Sequence, residues 1–215
     1  MWDFLVSKFE NEYAAAGIMG NLYYECALRS NNLQQTYEKK LGFTDSTYTA
    51  AVDNGTYTNF VKDSAGYGLA QWTYWSRKEA LLAFAKEAGK SIGDFQMQLD
   101  FLWHEMSTNF KSIGTKLKAA TSVREASDLV LHKFEAPADQ SEAVEIKRAD
   151  QGQKYYDKFH VVVEPPVETP VEPPVEEVPE IKPEEPKQEE QFSDNWIKQL
   201  LIRIFEFLLG LLKKE

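Results

Sequence analysis

Cysteine is nearly absent: Cys26 is the single one in 215 residues. A lone thiol excludes a disulfide scaffold and any zinc knuckle built on two or more thiolates. Positive charge is also short. There are 24 Lys and Arg against 34 Asp and Glu, a net charge of −10. A phosphate partner wants a basic face, so no nucleic-acid partner is expected. No glycine-rich phosphate loop occurs, and no period of 20–50 residues marks a repeat array. The start, Met1-Trp2-Asp3-Phe4-Leu5, has neither a basic stretch nor an apolar run, which predicts synthesis in a cytoplasm without an export signal. Proline is scarce in the first three-quarters of the chain. Of nine prolines, only Pro137 precedes Pro165.

What is present divides into three compositions. Residues 1–160 carry 18 basic and 21 acidic side chains. Residues 161–191 carry 2 basic and 10 acidic ones and eight prolines, in units such as Pro165-Pro166-Val167-Glu168 and Pro173-Pro174-Val175-Glu176. Proline fixes φ and lacks an N–H, and the glutamates repel one another. This segment is expected to be an extended spacer of roughly 90 Å when straight. Residues 192–215 carry 4 basic and 3 acidic side chains and are otherwise strongly apolar.

Residues 1–160 read as mainly α. Leu81, Leu82, Phe84 and Ala85 recur at helical spacing behind Ser76-Arg77-Lys78-Glu79, a capping-box pattern, and Gly89 ends the run. A second apolar face runs from Ile92 to Met106. A third, from Val123 to Phe134, follows Ser122-Val123-Arg124-Glu125. A last helix is expected from Asp139-Gln140-Ser141-Glu142 to about Phe159. Residues 29–75 are instead rich in Asn, Thr, Gly and Tyr and read as a long irregular insert, a usual place for a binding groove.

Two features carry chemistry. On a helix from about Tyr13 to Leu28, Ile18, Leu22 and Glu25 share a face. That sets a carboxylate on the apolar side, near the helix C-terminus. Burial and the negative end of the dipole both disfavour its charged form, the condition a general acid near neutrality needs. An outward-turned glutamate is the ordinary alternative. The second feature is Asp63-Ser64-Ala65-Gly66-Tyr67-Gly68-Leu69-Ala70-Gln71-Trp72, with Tyr74 and Trp75 behind it. Its glycines permit a tight turn, and its aromatic faces suit sugar rings. A core aromatic cluster would look the same. Cys26 with His104 or His132 could suggest a cysteine peptidase, but no local signature supports that. His104-Glu105 fails as a zinc-protease motif because Thr108 stands at the second histidine position.

Together, Gly20-Asn21-Leu22-Tyr23-Tyr24-Glu25-Cys26-Ala27-Leu28, Ser30-Asn31-Asn32-Leu33-Gln34 and Gly66-Tyr67-Gly68-Leu69-Ala70-Gln71-Trp72 resemble the phage lysozyme-like muramidases. These are the wall-cutting domains of endolysins and tail-associated lysins, related to lytic transglycosylases and goose-type lysozymes. The resemblance continues through Gln98-Leu99-Asp100-Phe101-Leu102-Trp103, Phe134-Glu135-Ala136-Pro137 and Gln153-Lys154-Tyr155-Tyr156, over residues 10–159. It implies a lysozyme-like helical domain in residues 1–160, with bacterial peptidoglycan as partner. The activity implied is cleavage of the β-1,4 bond between N-acetylmuramic acid and N-acetylglucosamine. Glu25 takes the place of the catalytic glutamate. Tyr67, Gly68, Gln71, Trp72, Trp75 and Glu135 are the expected substrate contacts. No cofactor and no metal are implied. Synthesis would be in the host cytoplasm, with action at the wall. The family commonly follows its glutamate with Ser-Gly, where this chain has Cys26-Ala27.

Glu25 is expected to protonate the glycosidic oxygen. The sugar cation then takes water in a hydrolase, or its own 6-hydroxyl in a lytic transglycosylase. Asp63 is the first candidate for a second carboxylate; Asp53, Glu135 and Asp139 are weaker ones. The rival reading is a wall-binding or tail structural protein that keeps the fold without turnover.

The end of the chain is unusual for such a family. Twelve of the 17 residues from Trp196 to Leu212 are large and apolar, while Gln199, Arg203, Glu206 and Gly210 form one narrow stripe. A helix of about 30 Å is expected. Twelve apolar residues favour insertion by about 4 to 7 kcal/mol, but Lys198, Arg203 and Glu206 cost up to about 3 kcal/mol each. A spanning helix is therefore not expected. An amphipathic helix lying on a membrane is, with Trp196, Leu201, Phe205, Leu208 and Leu212 in contact. Self-association into a homo-oligomer is the alternative.

Overall fold

The computed structural model describes residues 1–160. The expected spacer, 161–191, and the expected terminal helix, 192–215, with its five contact residues, lie outside the described residues. Within 1–160 the chain forms helices and no strands. They are α1 (Trp2–Phe9), α2 (Glu12–Cys26), α3 (Gln35–Leu41), α4 (Asp45–Asp53), α5 (Trp75–Glu87), α6 (Phe95–Ser107), α7 (Lys111–Lys118), α8 (Val123–Val130) and α9 (Glu142–Phe159). No helix among the described residues is long and apolar enough to cross a membrane.

The centre of the domain is α2. Asn11 caps it, accepting from the Ala14 N–H. Every residue from Ala14 to Leu22 is buried, as expected of a helix without a polar face. It lies against α1, α8 and α9. Two glycines set the spacing. A Cβ on Gly17 would stand 2.6 Å from the Ser127 N of α8, and one on Gly20 2.4 Å from the Arg148 O of α9. Helix backbones so close leave no room for even a methyl group. The last turn of α2, which carries Glu25, is held by this enclosure.

The segment expected to be irregular contains α3 and α4. Their pattern was weak for a physical reason. α3 buries no residue at all, and α4 buries only Tyr48 and Val52. The nucleus of α4 is a reciprocal cap between Thr44 and Thr47. The expected helix starts also move. α5 begins at Trp75, one residue before the supposed Ser76 cap, and α6 begins at Phe95, capped by Asp94, three residues after the apolar face opens at Ile92. Ser122 caps α8 as its pattern suggests, although the Glu125 side chain turns back to Thr121 instead.

The helical path continues past the end of α8 at Val130. It widens into a single π-turn, Leu131–Glu135, closed by Ala136 at φ +44°. Such turns concentrate at functional sites because they re-aim side chains. Here the turn buries Phe134 and positions Glu135.

Candidate active site

Glu25 is half-buried in the last turn of α2. Its Oε1 accepts from Arg148 Nη2 at 2.5 Å. Arg148 lies on α9 and is itself buried. Its Nη1 donates to Asn21 Oδ1 at 3.2 Å. Asn21 Nδ2 in turn donates to Gly17 O, Ser127 O and Ser127 Oγ. A buried chain, Ser127–Asn21–Arg148, thus holds the cation against Glu25. A charge-assisted bond of this length fixes the carboxylate's direction.

The helix stops sharply after Glu25. Ala27 and Leu28 both adopt left-handed backbone, at φ +52° and +60°. This is an uncommon conformation for residues with a Cβ. Between them and Glu25 sits Cys26, whose Sγ lies 3.2 Å from Leu69 O and 3.3 Å from Leu22 O. Its one proton serves one of these acceptors at a time. Burial pushes the thiol up to about 12, so Cys26 is a neutral tether and not a thiolate nucleophile. The tether joins the Glu25 turn to the glycine–aromatic block.

That block is a tight loop. Tyr67 and Trp72 exchange backbone hydrogen bonds of 3.0 and 3.2 Å. Gly68 lies at φ +76°, and a Cβ there would strike the Gln98 side chain at 2.6 Å. Gln98, on α6, is fully buried; its Oε1 accepts from Leu69 N, while its Nε2 donates to Ser30 O and Ile92 O. Gln71 Nε2 donates to Asn32 O, Asn32 Oδ1 and Gly68 O. The loop is therefore braced from beneath, with Gln71 half-exposed at its edge.

A second carboxyl belongs to the same neighbourhood. Glu135 is half-buried as a residue, but its Oε1 is sealed from solvent and has no hydrogen-bond partner. Burial raises it well above the ordinary carboxylate range, and the charge of Glu25 adds to the rise. Arg77 and Arg148 oppose it, and Glu105 reinforces it. Arg77 is fixed by a two-pronged pair with Glu105, at 2.7 and 2.8 Å, and lies over the rings of Phe134 and Phe110. Glu105 also accepts from Trp72 Nε1 at 2.8 Å.

Residues 1–159 match the family described as phage tail lysozyme. The chain belongs to that family. No curated relative matches it.

In this phage tail lysozyme domain, several expected contacts stand elsewhere than the sequence suggested. Asp63, Tyr67 and Trp72 were expected at the sugar, and all three are in the interior. Asp63 is fully enclosed. It takes Lys78 Nζ at 2.5 Å, the hydroxyls of Tyr48 and Tyr57, and the Ala65 N–H. Tyr67 and Trp72 are both without exposed surface. Tyr67 ends on Thr49 Oγ1 at 2.6 Å, and Trp72 ends on Glu105. Packing against the aromatic cluster of Tyr48 and Phe60 explains the first, and the Glu105 carboxylate the second. Of the other candidates, Asp53 accepts from Ser91 Oγ and Ile92 N, and Asp139 caps the turn at Ser141.

Glu25, the Gly68–Gln71 loop and Glu135 are brought together around Cys26. Trp75 is instead an open surface group. With Tyr74 it flanks a groove of about 760 Å³ lined also by Val61, Lys62, Ser64 and Thr73. The ring centroids of Tyr74 and Trp75 lie 5.9 Å apart. Sequence reading missed Arg148, Arg77, Gln98 and Glu105. Arg148 had a signal: it falls four residues after Val144 and four before Gly152, on the face that meets α2. Gln98 heads one of the blocks that carry the resemblance, which gives it no role by itself; nothing local distinguishes Arg77 or Glu105.

Proposed function

We propose that this protein is a peptidoglycan glycosidase that cleaves the β-1,4 bond between N-acetylmuramic acid and N-acetylglucosamine. Membership of a lysozyme family supports the substrate class. The observation that carries the reading is Glu25. It stands where the otherwise enclosed helix α2 meets solvent, aimed by Arg148 and tethered through Cys26 to the Gly68–Gln71 loop. Glycan cleavage needs a carboxyl at the glycosidic oxygen, because an alkoxide is a poor leaving group until protonated. Glu25 fills that role. Gln71 and the backbone of Gly68 are assigned to the sugar site beside it, and the exposed Trp75 to a more distant stretch of glycan. Asp63 takes no part in the reaction in this reading, because its carboxylate is committed to Lys78.

The cation at the anomeric carbon is quenched by water or by the sugar's own 6-hydroxyl. The first gives a reducing end, the second an anhydro end. Residues 192–215 are assigned to a membrane surface, so that the enzyme acts at the wall while its tail touches the bilayer. This rests on the amphipathic pattern alone. Purified peptidoglycan should lose turbidity with the native protein and not with Glu25→Gln. Mass analysis of the fragments then separates the two ends. Equal clearing by both proteins would remove Glu25 from the mechanism. Absence of clearing by either would favour the wall-binding reading.

A further inference from the structure

In the glycosidase reading, the bond cut starts at the anomeric carbon of N-acetylmuramic acid. The muramic acid ring must therefore lie against Glu25. That sugar carries a lactyl group, from which a short peptide stem hangs. The stem bears carboxylates, so an anionic branch has to leave the site at the rim around Glu25.

Two helices form that rim. α2 touches α9 where Gly20 meets the Arg148 backbone. One turn further along α2, Tyr24 lies on the same face as Gly20. Tyr24 and Glu25 are neighbours on α2, and Lys147 and Arg148 are neighbours on α9. The two couples match across the gap between the helices. Arg148 Nη2 meets Glu25 Oε1 at 2.5 Å, and Lys147 Nζ stands 4.6 Å from the centre of the Tyr24 ring. The first pair is sunk, with Arg148 buried, and the second is exposed at both members. Tyr23, also exposed, meets Tyr24 edge-on, with ring centroids 5.2 Å apart.

The cations around Glu25 differ in what they already hold. Arg148 is bound to Glu25 and Asn21. Arg29, just past the end of α2, is paired with Asp45 at 2.8 Å. On α9 itself, Glu145 is taken by Arg124 and His132. Lys147 pairs with no carboxylate among the described residues. A tyrosine face attracts an ammonium through its ring electrons. It supplies no lone-pair oxygen there, so the three N–H donors of the ammonium stay open to an anion. The ring thus holds the charge at the rim without neutralising it.

We propose that Lys147, held over Tyr24, receives the acidic peptide stem of the muramic acid residue at the point of cleavage. This rests on the glycosidase reading above and names the part of the substrate that the rim reads. A stem carboxylate accepts from the Lys147 ammonium, and the exposed rings of Tyr23 and Tyr24 offer apolar surface to the stem's short side chains. No bond is made or broken in this contact. It brings specificity: a strand with acidic stems is held in register with Glu25, while a neutral polysaccharide of the same linkage lacks the contact.

The test uses the native full chain and a probe that it cannot cut, N-acetylmuramic acid bearing an alanyl-glutamate stem. The same probe with its carboxylates converted to amides keeps the shape and loses the charge. Titrations followed by nuclear magnetic resonance at low salt give Kd for each. The acidic probe should bind about fivefold more tightly than the amide, and the gap should close at about 1 M salt. Lys147→Met should remove the preference and Lys147→Arg should keep it. Tyr24→Leu should lose part of it, whereas Tyr24→Phe, which preserves the ring face, should retain it. Lys147 and Tyr24 are exposed, so the variants should melt with the native protein. In clearing assays, amidation of purified peptidoglycan should raise KM for the native enzyme by a similar factor, with less effect on Lys147→Met. Equal binding of the two probes, no binding of either, or a preference that survives Lys147→Met would overturn the stem receiver. A native protein that clears no peptidoglycan, or a fully active Glu25→Gln, would instead overturn the glycosidase reading, which the uncut probe does not depend on.

Discussion

Asp63, a candidate second carboxylate in the sequence, is paired with Lys78. Both side chains are wholly enclosed. Replacing Lys78 with Met removes the cation 2.5 Å from Asp63 Oδ1 and leaves Ala65 O without its 2.8 Å donor. Asp63 keeps the Tyr48, Tyr57 and Ala65 donors, so the loss is not that of a bare charge. Breaking one side of a buried pair costs about 3–5 kcal/mol. At roughly 2–4 °C per kcal/mol for a domain of this size, Lys78→Met should melt about 6–20 °C lower. The double variant Asp63→Asn with Lys78→Met should recover a large part of this, because no unpaired charge is left behind. Burial lowers the Lys78 ammonium below its ordinary value, and Asp63 opposes the fall. The neutral double variant removes that conflict. Thermal melts and turbidity kinetics at 25 °C, normalised to folded protein, measure both consequences. The double variant should clear peptidoglycan within about threefold of native, since neither group reaches solvent. A native melting temperature combined with a 100-fold fall in kcat would refute the argument and return Asp63 to the chemistry.

Two further outcomes follow from the same structure, and a third from the amphipathic pattern of residues 192–215. Ala27→Gly should stabilise the domain by about 0.5–1 kcal/mol in urea unfolding, because Ala27 sits at φ +52°; the left-handed cost of about 1–2 kcal/mol exceeds the extra chain entropy of glycine, and unchanged or lower stability would contradict this. His132 faces two acceptors, Gln140 Oε1 and Glu145 Oε1, with the Gln140 amide oriented by Pro137 O. These contacts raise its pKa above the ordinary histidine value, so their stabilisation is complete below that value and is lost as pH rises through the folded one; hydrogen exchange in residues 136–141 should quicken from about pH 6 to 8 beyond the intrinsic rate, and no excess would refute the clamp. The full chain should co-sediment with anionic liposomes and release dye, while residues 1–191 and the Leu201→Glu, Leu208→Glu double variant should do neither; a defined oligomer without liposome binding, dissolved by the double variant, would make the tail an assembly helix.

Helical class and the family were legible in the sequence because each rests on local order. Periodicity marked the faces of α5, α6, α8 and α9, and short motifs kept their spacing. α3 and α4 escaped because they bury almost nothing, so no apolar period marks them. The aromatic block was legible as a block, but not which of its faces is wet. Tyr67 and Trp72 have the same composition cues as Trp75, and only their packing neighbours distinguish them.

The sequence alone determined that a carboxylate would close a helix lined with Ile18 and Leu22, since i, i+4 and i+7 must share a face. Tertiary structure alone decided what that carboxylate meets. Arg148 lies 123 residues further on, and it reaches Glu25 only because Gly20 lets α9 touch the α2 backbone. The different surroundings of Asp63 and Glu135 were decided in the same way. Both are acidic residues in loops or turns, but one found a buried lysine and two tyrosines, while the other was left with no donor on its buried oxygen. Charge state depends on partners in space, and spacing along the chain does not specify them.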